Sequence, residues 1–111
     1  MIETNYQQMY YSNTAQTNQI ITAKNKVEEA ILAECIDFAR FLIEKNRAYG
    51  NSALKPCRIM SKANTIEQLY VRIDDKLNRL MNGSEYPGDN DIQDLIGYLI
   101  LLQVAKKEGL D

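Results

Sequence analysis

The chain has no histidine and no tryptophan, and only two cysteines and two prolines among its 111 residues. Without histidine there is no Ser-His-Asp or Cys-His catalysis and no imidazole metal site, so any metal must be held by oxygen. Cys35 falls in a helical pattern and Cys57 in a loop; two such thiols make neither a disulfide framework nor a zinc cluster, and they are expected to stay reduced. Positive charge is not in excess either. A net charge of -2 argues against general DNA binding, because phosphate neutralisation needs a surplus of Lys and Arg. No stretch is long enough to cross a bilayer, and no charged segment precedes a short apolar one at the start of the chain. These absences lead to the expectation of a soluble, cytoplasmic protein with no membrane partner. The length fits one domain, small enough that oligomerisation would help to bury apolar surface.

What is present is helical. Met1 to Ala23 is rich in Asn, Gln, Thr and Tyr, with Glu3 as its one charged residue, so residues 1–25 read as a polar N-terminal arm. Such a segment is either a disordered tail, being too polar to offset its ordering entropy, or an arm that docks Tyr6, Tyr10, Tyr11, Ile20 and Ile21 on a neighbouring subunit. Residues 26–111 form the domain. Apolar residues at helical spacing predict a first helix from about Lys26 to Asn46, with Val27, Ile31, Phe38 and Leu42 on one face and Gly50 at a left-handed stop. A loop follows, from about Asn51 to Asn64, with room for a short helical turn. The second helix starts near Asn64 or Thr65, carries Ile66, Leu69, Tyr70, Ile73, Leu77, Leu80 and Met81 on one stripe, and ends at Gly83. After a turn from Ser84 to Gly88, Asp89 or Asn90 caps a last helix that reaches about Lys107. No β-alternation competes, and the fold class expected is all-α, a small bundle of three main helices.

From Leu95 to Ala105 the last helix is apolar nearly all round, so it must be covered on more than one side. We expect it to serve both the monomer core and a subunit interface, making the protein a homo-oligomer. Gly97 lowers helix propensity by about 1 kcal/mol relative to Ala. A close helix crossing explains it, and a nearby ligand would do so as well.

The carboxylates carry the chemical expectation. On a wheel centred on Val27, Glu34 shares the stripe of Ile31, Phe38 and Leu42, with Asp37 at its margin; Glu34 is therefore expected to point inward and to need a cation, a metal or hydrogen-bond donors. Asp91 and Asp94, three apart, share a side near Tyr98. The pairs Glu34/Asp37 and Asp91/Asp94 together would offer hard oxygen ligands to Mg²⁺, with Glu34, Asp37 and Asp94 as the catalytic candidates. Plainer readings stand beside this one. Asp91 and Asp94 lie where capping and the helix dipole favour acids. Glu34 could pair with Lys76 or Arg72 as a structural ion pair, and Asp75 with Arg79 on an exposed face. Asp74, Lys76 and Asn78 lie at the edges of the apolar stripe, from which side chains reach into a cleft.

Lys45, Arg47, Lys55, Arg58 and Lys62 form a basic segment with no acid between them. It surrounds Tyr49-Gly50-Asn51-Ser52, where glycine lets the backbone turn, the Asn amide and Ser hydroxyl donate to anions, and Tyr49 can stack on a base. Arg47 or Arg58 would grip phosphate.

Three motifs occur in order: Lys45-Asn46-Arg47-Ala48-Tyr49-Gly50-Asn51-Ser52, then Arg72-Ile73-Asp74-Asp75-Lys76-Leu77-Asn78-Arg79-Leu80, then Asp91-Ile92-Gln93-Asp94-Leu95-Ile96-Gly97-Tyr98. Together they resemble the phage-associated nucleotide modification associated domain 1 family over roughly Val27 to Ala105. The resemblance implies an all-α fold, a nucleotide ligand and ligand roles for Asn46, Tyr49 and Asn51. The acidic pairs also look like those of MazG-type all-α NTP pyrophosphatases, although the usual Glu-x-x-Glu pairs are shortened here and the extra glutamates are missing. The functional expectation is a phage protein that binds or processes a nucleotide, with Mg²⁺ as cofactor. The alternatives are a non-catalytic protein that sequesters a nucleotide signal and a helical interaction module without ligand.

Overall fold

The structure is a computed structural model that describes residues 21–83, 87–88 and 90–110. Among them are three helices and no strand: α1 (Lys26–Ala48), α2 (Thr65–Asn82) and α3 (Asp91–Lys107). The all-α class expected from the periodicity is what the structure has. No helix among the described residues is long and apolar enough to cross a membrane. Most of the N-terminal arm, residues 1–20, and the turn residues 84–86 with the alternative cap Asp89 lie outside the described residues.

The helix ends follow from side-chain and backbone chemistry. Asn25 and Glu28 begin α1 as a reciprocal capping box: the Glu28 N–H donates to Asn25 Oδ1 at 2.9 Å, and the Glu28 carboxylate accepts from the Lys24 N–H and the Asn25 amide. Asn64 caps α2 by accepting from the Glu67 N–H at 2.8 Å, and Asn90 caps α3 by accepting from the Gln93 N–H at 2.9 Å. Where the sequence left two residues open as the α2 cap, the structure selects Asn64 and buries Thr65 as the first helical residue. Helix α1 runs two residues past the expected end. It stops in a Schellman turn, with Gly50 N–H donating to the Arg47 carbonyl and Asn51 N–H to the Asn46 carbonyl. Both turn residues are left-handed, Gly50 at φ 62° and Asn51 at φ 65°. Helix α2 closes on Gly83 at φ 66°, and α3 closes in a second Schellman turn, from Gly109 to Lys106 and from Leu110 to Ala105.

Two compact units divide the chain, Met1–Ile43 and Glu44–Asp111. In the first, Ile36 is buried, Phe38 stacks on Phe41 with ring centroids 5.6 Å apart, and Val27, Ile31 and Glu34 are exposed. This corrects the expected inward stripe. Ile36 lies nine residues, or two and a half turns, from Val27 and thus on the opposite side of the helix; α1 has apolar residues on more than one side, and a wheel drawn from one of them does not reveal which side is covered.

In the second unit α2 and α3 form an antiparallel hairpin, as the partners show: Arg79 meets Asp91, Lys76 meets Asp91 and Asp94, Arg72 lies over Tyr98, and Lys106 lies over Tyr70. Leu69, Ile73 and Ala105 form the apolar part of the buried interior. The loop between α1 and α2 contains the expected helical turn, Leu54 and Lys55 N–H groups both donating to the Asn51 carbonyl. It is tied to α2 through Thr65, whose hydroxyl accepts from Arg58 Nη2 at 3.3 Å and donates to the Leu54 carbonyl at 3.4 Å.

If the Asn64 cap and the left-handed Gly83 stop define α2, Asn64→Ala and Gly83→Ala should each lower stability by about 1 kcal/mol. Urea midpoints for the two variants check this; unchanged midpoints would mean that α2 does not depend on either end.

Candidate functional site

The charged residues of the second unit converge at the N-terminal turn of α3. Asp91, the first residue of that helix, is 1% exposed. Its Oδ1 lies 3.2 Å from Arg79 Nη1 and 3.4 Å from Lys76 Nζ. One turn on, Asp94 places Oδ2 3.1 Å from Lys76 Nζ and Oδ1 3.1 Å from Lys45 Nζ. The Lys76 ammonium thus bridges both carboxylates, and Lys45 brings in the last turn of α1.

The local sequence explains this meeting. Lys76 and Arg79 are three apart on α2, Asp91 and Asp94 three apart on α3, so each pair shares a helix face, and the antiparallel hairpin sets one pair against the other. Three cations, Lys45, Lys76 and Arg79, thus meet the two carboxylates.

Burial and pairing compete in the protonation of these groups. For Lys76, burial alone would lower the pKa, but hydrogen bonds to Asp94 and Asp91 and the Asp94 charge outweigh it, and the net shift is upward despite nearby Arg79. For Asp94, burial would raise the pKa, but hydrogen bonds and charge from Lys76 and Lys45 prevail, and the net shift is downward.

The expected site residues distribute as follows. Asp91, Asp94 and Lys76 belong to the cluster, and Tyr98 is half-buried with the Arg72 guanidinium 5.9 Å from its ring centroid. Asn46 and Asn51 are half-buried at the Schellman turn, where their backbones bond each other; Arg47 and Ser52 are exposed, and Tyr49 presents a ring residue 64% exposed. The Tyr49 N–H donates to the carbonyl of Lys45, so this turn starts one helical step from the cluster. Arg58 has left-handed backbone, φ 54°, and its guanidinium is held by Thr65. Asp74 and Asn78 are exposed, with Asn78 accepting from the Asn82 amide at 3.2 Å. Glu34 and Asp37 belong to the first unit, where Asp37 is a surface acid 3.9 Å from Arg40. Asp91 does not serve as the cap; Asn90 does, and the Asp91 carboxylate is committed to α2.

Sequence spacing does not single out Lys45, Arg79 and Arg72 as members of a site. Lys45 stands first in the turn motif and Arg79 shares the face of Lys76, so the signal was present. It was obscured because an Arg four residues after Asp75 reads equally well as a surface pair.

The fit to Mg²⁺ is decided by the carboxylate oxygens. Among the described residues no group of three or more Asp, Glu or Cys side chains is placed to hold a metal ion. Asp91 and Asp94 already accept from two ammonium groups and a guanidinium, with which a divalent ion would compete for the same oxygens. These two carboxylates, engaged by cations, do not form a ready Mg²⁺ site. In comparisons with known proteins, no family model, no curated protein and no solved structure matches this chain.

Removing one partner of a buried ion pair leaves an uncompensated charge. Asp91→Ala should therefore destabilise the fold by about 3–5 kcal/mol, whereas Asp37→Ala should stay within about 0.5 kcal/mol. Equal urea midpoints for the two variants would contradict the structural weight given to Asp91.

The pKa shifts predict losses of stability in both acid and base. Asp94 contributes stability that is complete above its unfolded pKa of about 3.9 and lost as pH falls through its lower folded value; Lys76 contributes stability complete below about 10.4 and lost as pH rises through its higher folded value. In Asp94→Asn the acid decline should be shallower, and the alkaline decline should begin at lower pH because Lys76 loses its main partner. Denaturation midpoints from pH 2 to 11 measure both limbs; an unaltered acid limb would remove Asp94 from the account.

Proposed function

We propose that this chain is a nucleotide-binding protein, of phage origin and acting in the host cytoplasm, in which the Tyr49–Ser52 turn takes the base and the basic residues around it take phosphate. The observation that carries the reading is an exposed tyrosine ring in a turn rich in amide and hydroxyl donors, one helical turn from Lys45 and the ionic cluster it joins. Tyr49 stacks on the base, Asn46, Asn51 and Ser52 donate to polar edges, and Arg47 and Arg58 contact phosphate oxygens. The resemblance of the three motifs to the nucleotide modification associated family supports the same ligand class and a place in phage nucleotide metabolism.

Within this reading, binding without turnover is favoured over hydrolysis. Asp91 and Asp94 are neutralised by Lys45, Lys76 and Arg79, an arrangement that supports structural charge balance better than water activation. A role in sequestering a nucleotide signal fits this chemistry, and Mg²⁺ enters the proposal as an ion carried on the nucleotide's phosphates. The reading includes self-association, because α3 keeps apolar side chains exposed.

Calorimetry against nucleoside mono-, di- and triphosphates and cyclic nucleotides, with and without Mg²⁺, tests the proposal. One member of the panel should bind, and Tyr49→Ala should weaken it at least fivefold, as expected for the loss of about 1 kcal/mol or more of stacking, with thermal stability unchanged. Arg47→Ala should weaken it whether or not Mg²⁺ is present. Product formation would replace the sequestering role by an enzymatic one, and silence across the panel would reject the nucleotide altogether.

A further inference from the structure

Helix α3 has two apolar faces, and the structure covers one of them. Asp91, Asp94, Tyr98, Leu101 and Ala105 lie on the side towards α2 and are buried or half-buried. On the opposite side Ile92, Ile96, Leu99, Ile100 and Val104 are 61%, 44%, 43%, 39% and 38% exposed. At 100° per residue these five, with Gln103 among them, fall within about 140° of the helix circumference and form a continuous stripe. Single exposed aliphatic residues need no explanation, but five aligned on one helix face mark an interaction surface.

We infer that this stripe is the interface of a two-fold symmetric dimer in which α3 packs antiparallel against α3 of a second copy. The inference rests on the self-association included in the proposed function and names its surface and register.

The stripe identifies its occupant through its own order. Read from either end it presents nearly the same residues: Ile92 and Gln93 at one end match Val104 and Gln103 at the other, and Ile96 matches Ile100. A two-fold axis beside Gly97 and Tyr98 therefore sets Ile92 of each copy at the level of Gln103 and Val104 of the other, and Ile96 at the level of Leu99 and Ile100. A two-fold contact has to be self-complementary in this way, since each residue meets its counterpart's partner. Spacings of four, three and four through Ile92, Ile96, Leu99 and Gln103 supply the seam that antiparallel helices interdigitate along. The two antiparallel helix dipoles oppose each other favourably. Closing the stripe with its flanks buries on the order of 1,000 Å² in total, the low end for a specific interface.

Cysteine cross-linking tests the register directly, in the full chain with Cys35→Ser and Cys57→Ser to remove the two exposed native thiols. An equimolar mixture of Ile92→Cys and Gln103→Cys chains should form a disulfide-linked heterodimer on mild oxidation. Ile92→Cys alone should not, because in this register its two copies stand about 18 Å apart along the helix axis. Light scattering should give a dimer at micromolar concentration for the unmodified protein and a monomer for Ile96→Asn, whose helical circular dichroism should be retained. Self-cross-linking of Ile92→Cys would indicate parallel helices and overturn the inference. A dimer that cross-links in neither test and survives Ile96→Asn would overturn it while leaving self-association standing. A strict monomer would overturn both and assign the stripe to another part of the chain or to a different partner. None of these outcomes depends on nucleotide binding.

Discussion

The buried carboxylate of Asp91 is the constraint from which the second unit is organised. A charge removed from water to this degree is tolerated only when it is paired and hydrogen-bonded, and its partners, Lys76 and Arg79, both come from α2. Slipping α2 along α3 by one turn would leave that carboxylate with one cation instead of two, so the double pairing favours the observed register of the hairpin. Its net contribution to stability is limited, because desolvating such a pair offsets much of its attraction. Once the register is set, the Lys76 ammonium also meets Asp94, and Asp94 draws in Lys45 at the end of α1. The turn that carries Tyr49 is thereby held beside the cluster.

The same constraint shapes the rest of α3. A helix that gives its inner face at the N-terminal end to ionic partners has fewer positions there for large apolar side chains. Its most deeply buried positions are Asp91, Gly97 and Ala105, one charged and two small, whereas Ile92, Ile96 and Leu99 face outwards. This inversion makes sense if the apolar surface serves association rather than the interior of one chain. The apolar residues all round α3 in the sequence thus have two different roles: close packing on α2, and a second face.

The helices themselves were legible because their signals are local. Asn64 and Asn90 act on backbone N–H groups within three residues, and Gly50 and Gly83 supply left-handed stops where the apolar period ends. Asp91 and Asp94 were placed on one side of α3 by spacing alone, and the structure has both of them on the same lysine. Tertiary choices were harder to read. Glu34 is exposed because α1 is apolar on several sides and the sequence does not say which of them is covered. Arg79 was equally suited to Asp75 on its own helix, and only the packing of α2 on α3 directs it to Asp91. Lys45 was visible as part of a basic run, but nothing local indicates that it reaches a carboxylate 49 positions further on.

Charge and apolar contact meet at one point of the chain. Asp91 is buried in the ionic cluster, and its neighbour Ile92 is the most exposed residue of the α3 stripe. The first turn of α3 therefore belongs both to the proposed ligand site and to the proposed dimer seam. If the proposed nucleotide and the proposed second copy both engage this end of the chain, the two events would be linked, and linkage is reciprocal: a ligand that tightens the dimer would itself be bound more tightly by the dimer, by the same factor. In that case one buried carboxylate would both favour the hairpin register and hold the proposed ligand turn near the surface proposed for a second copy.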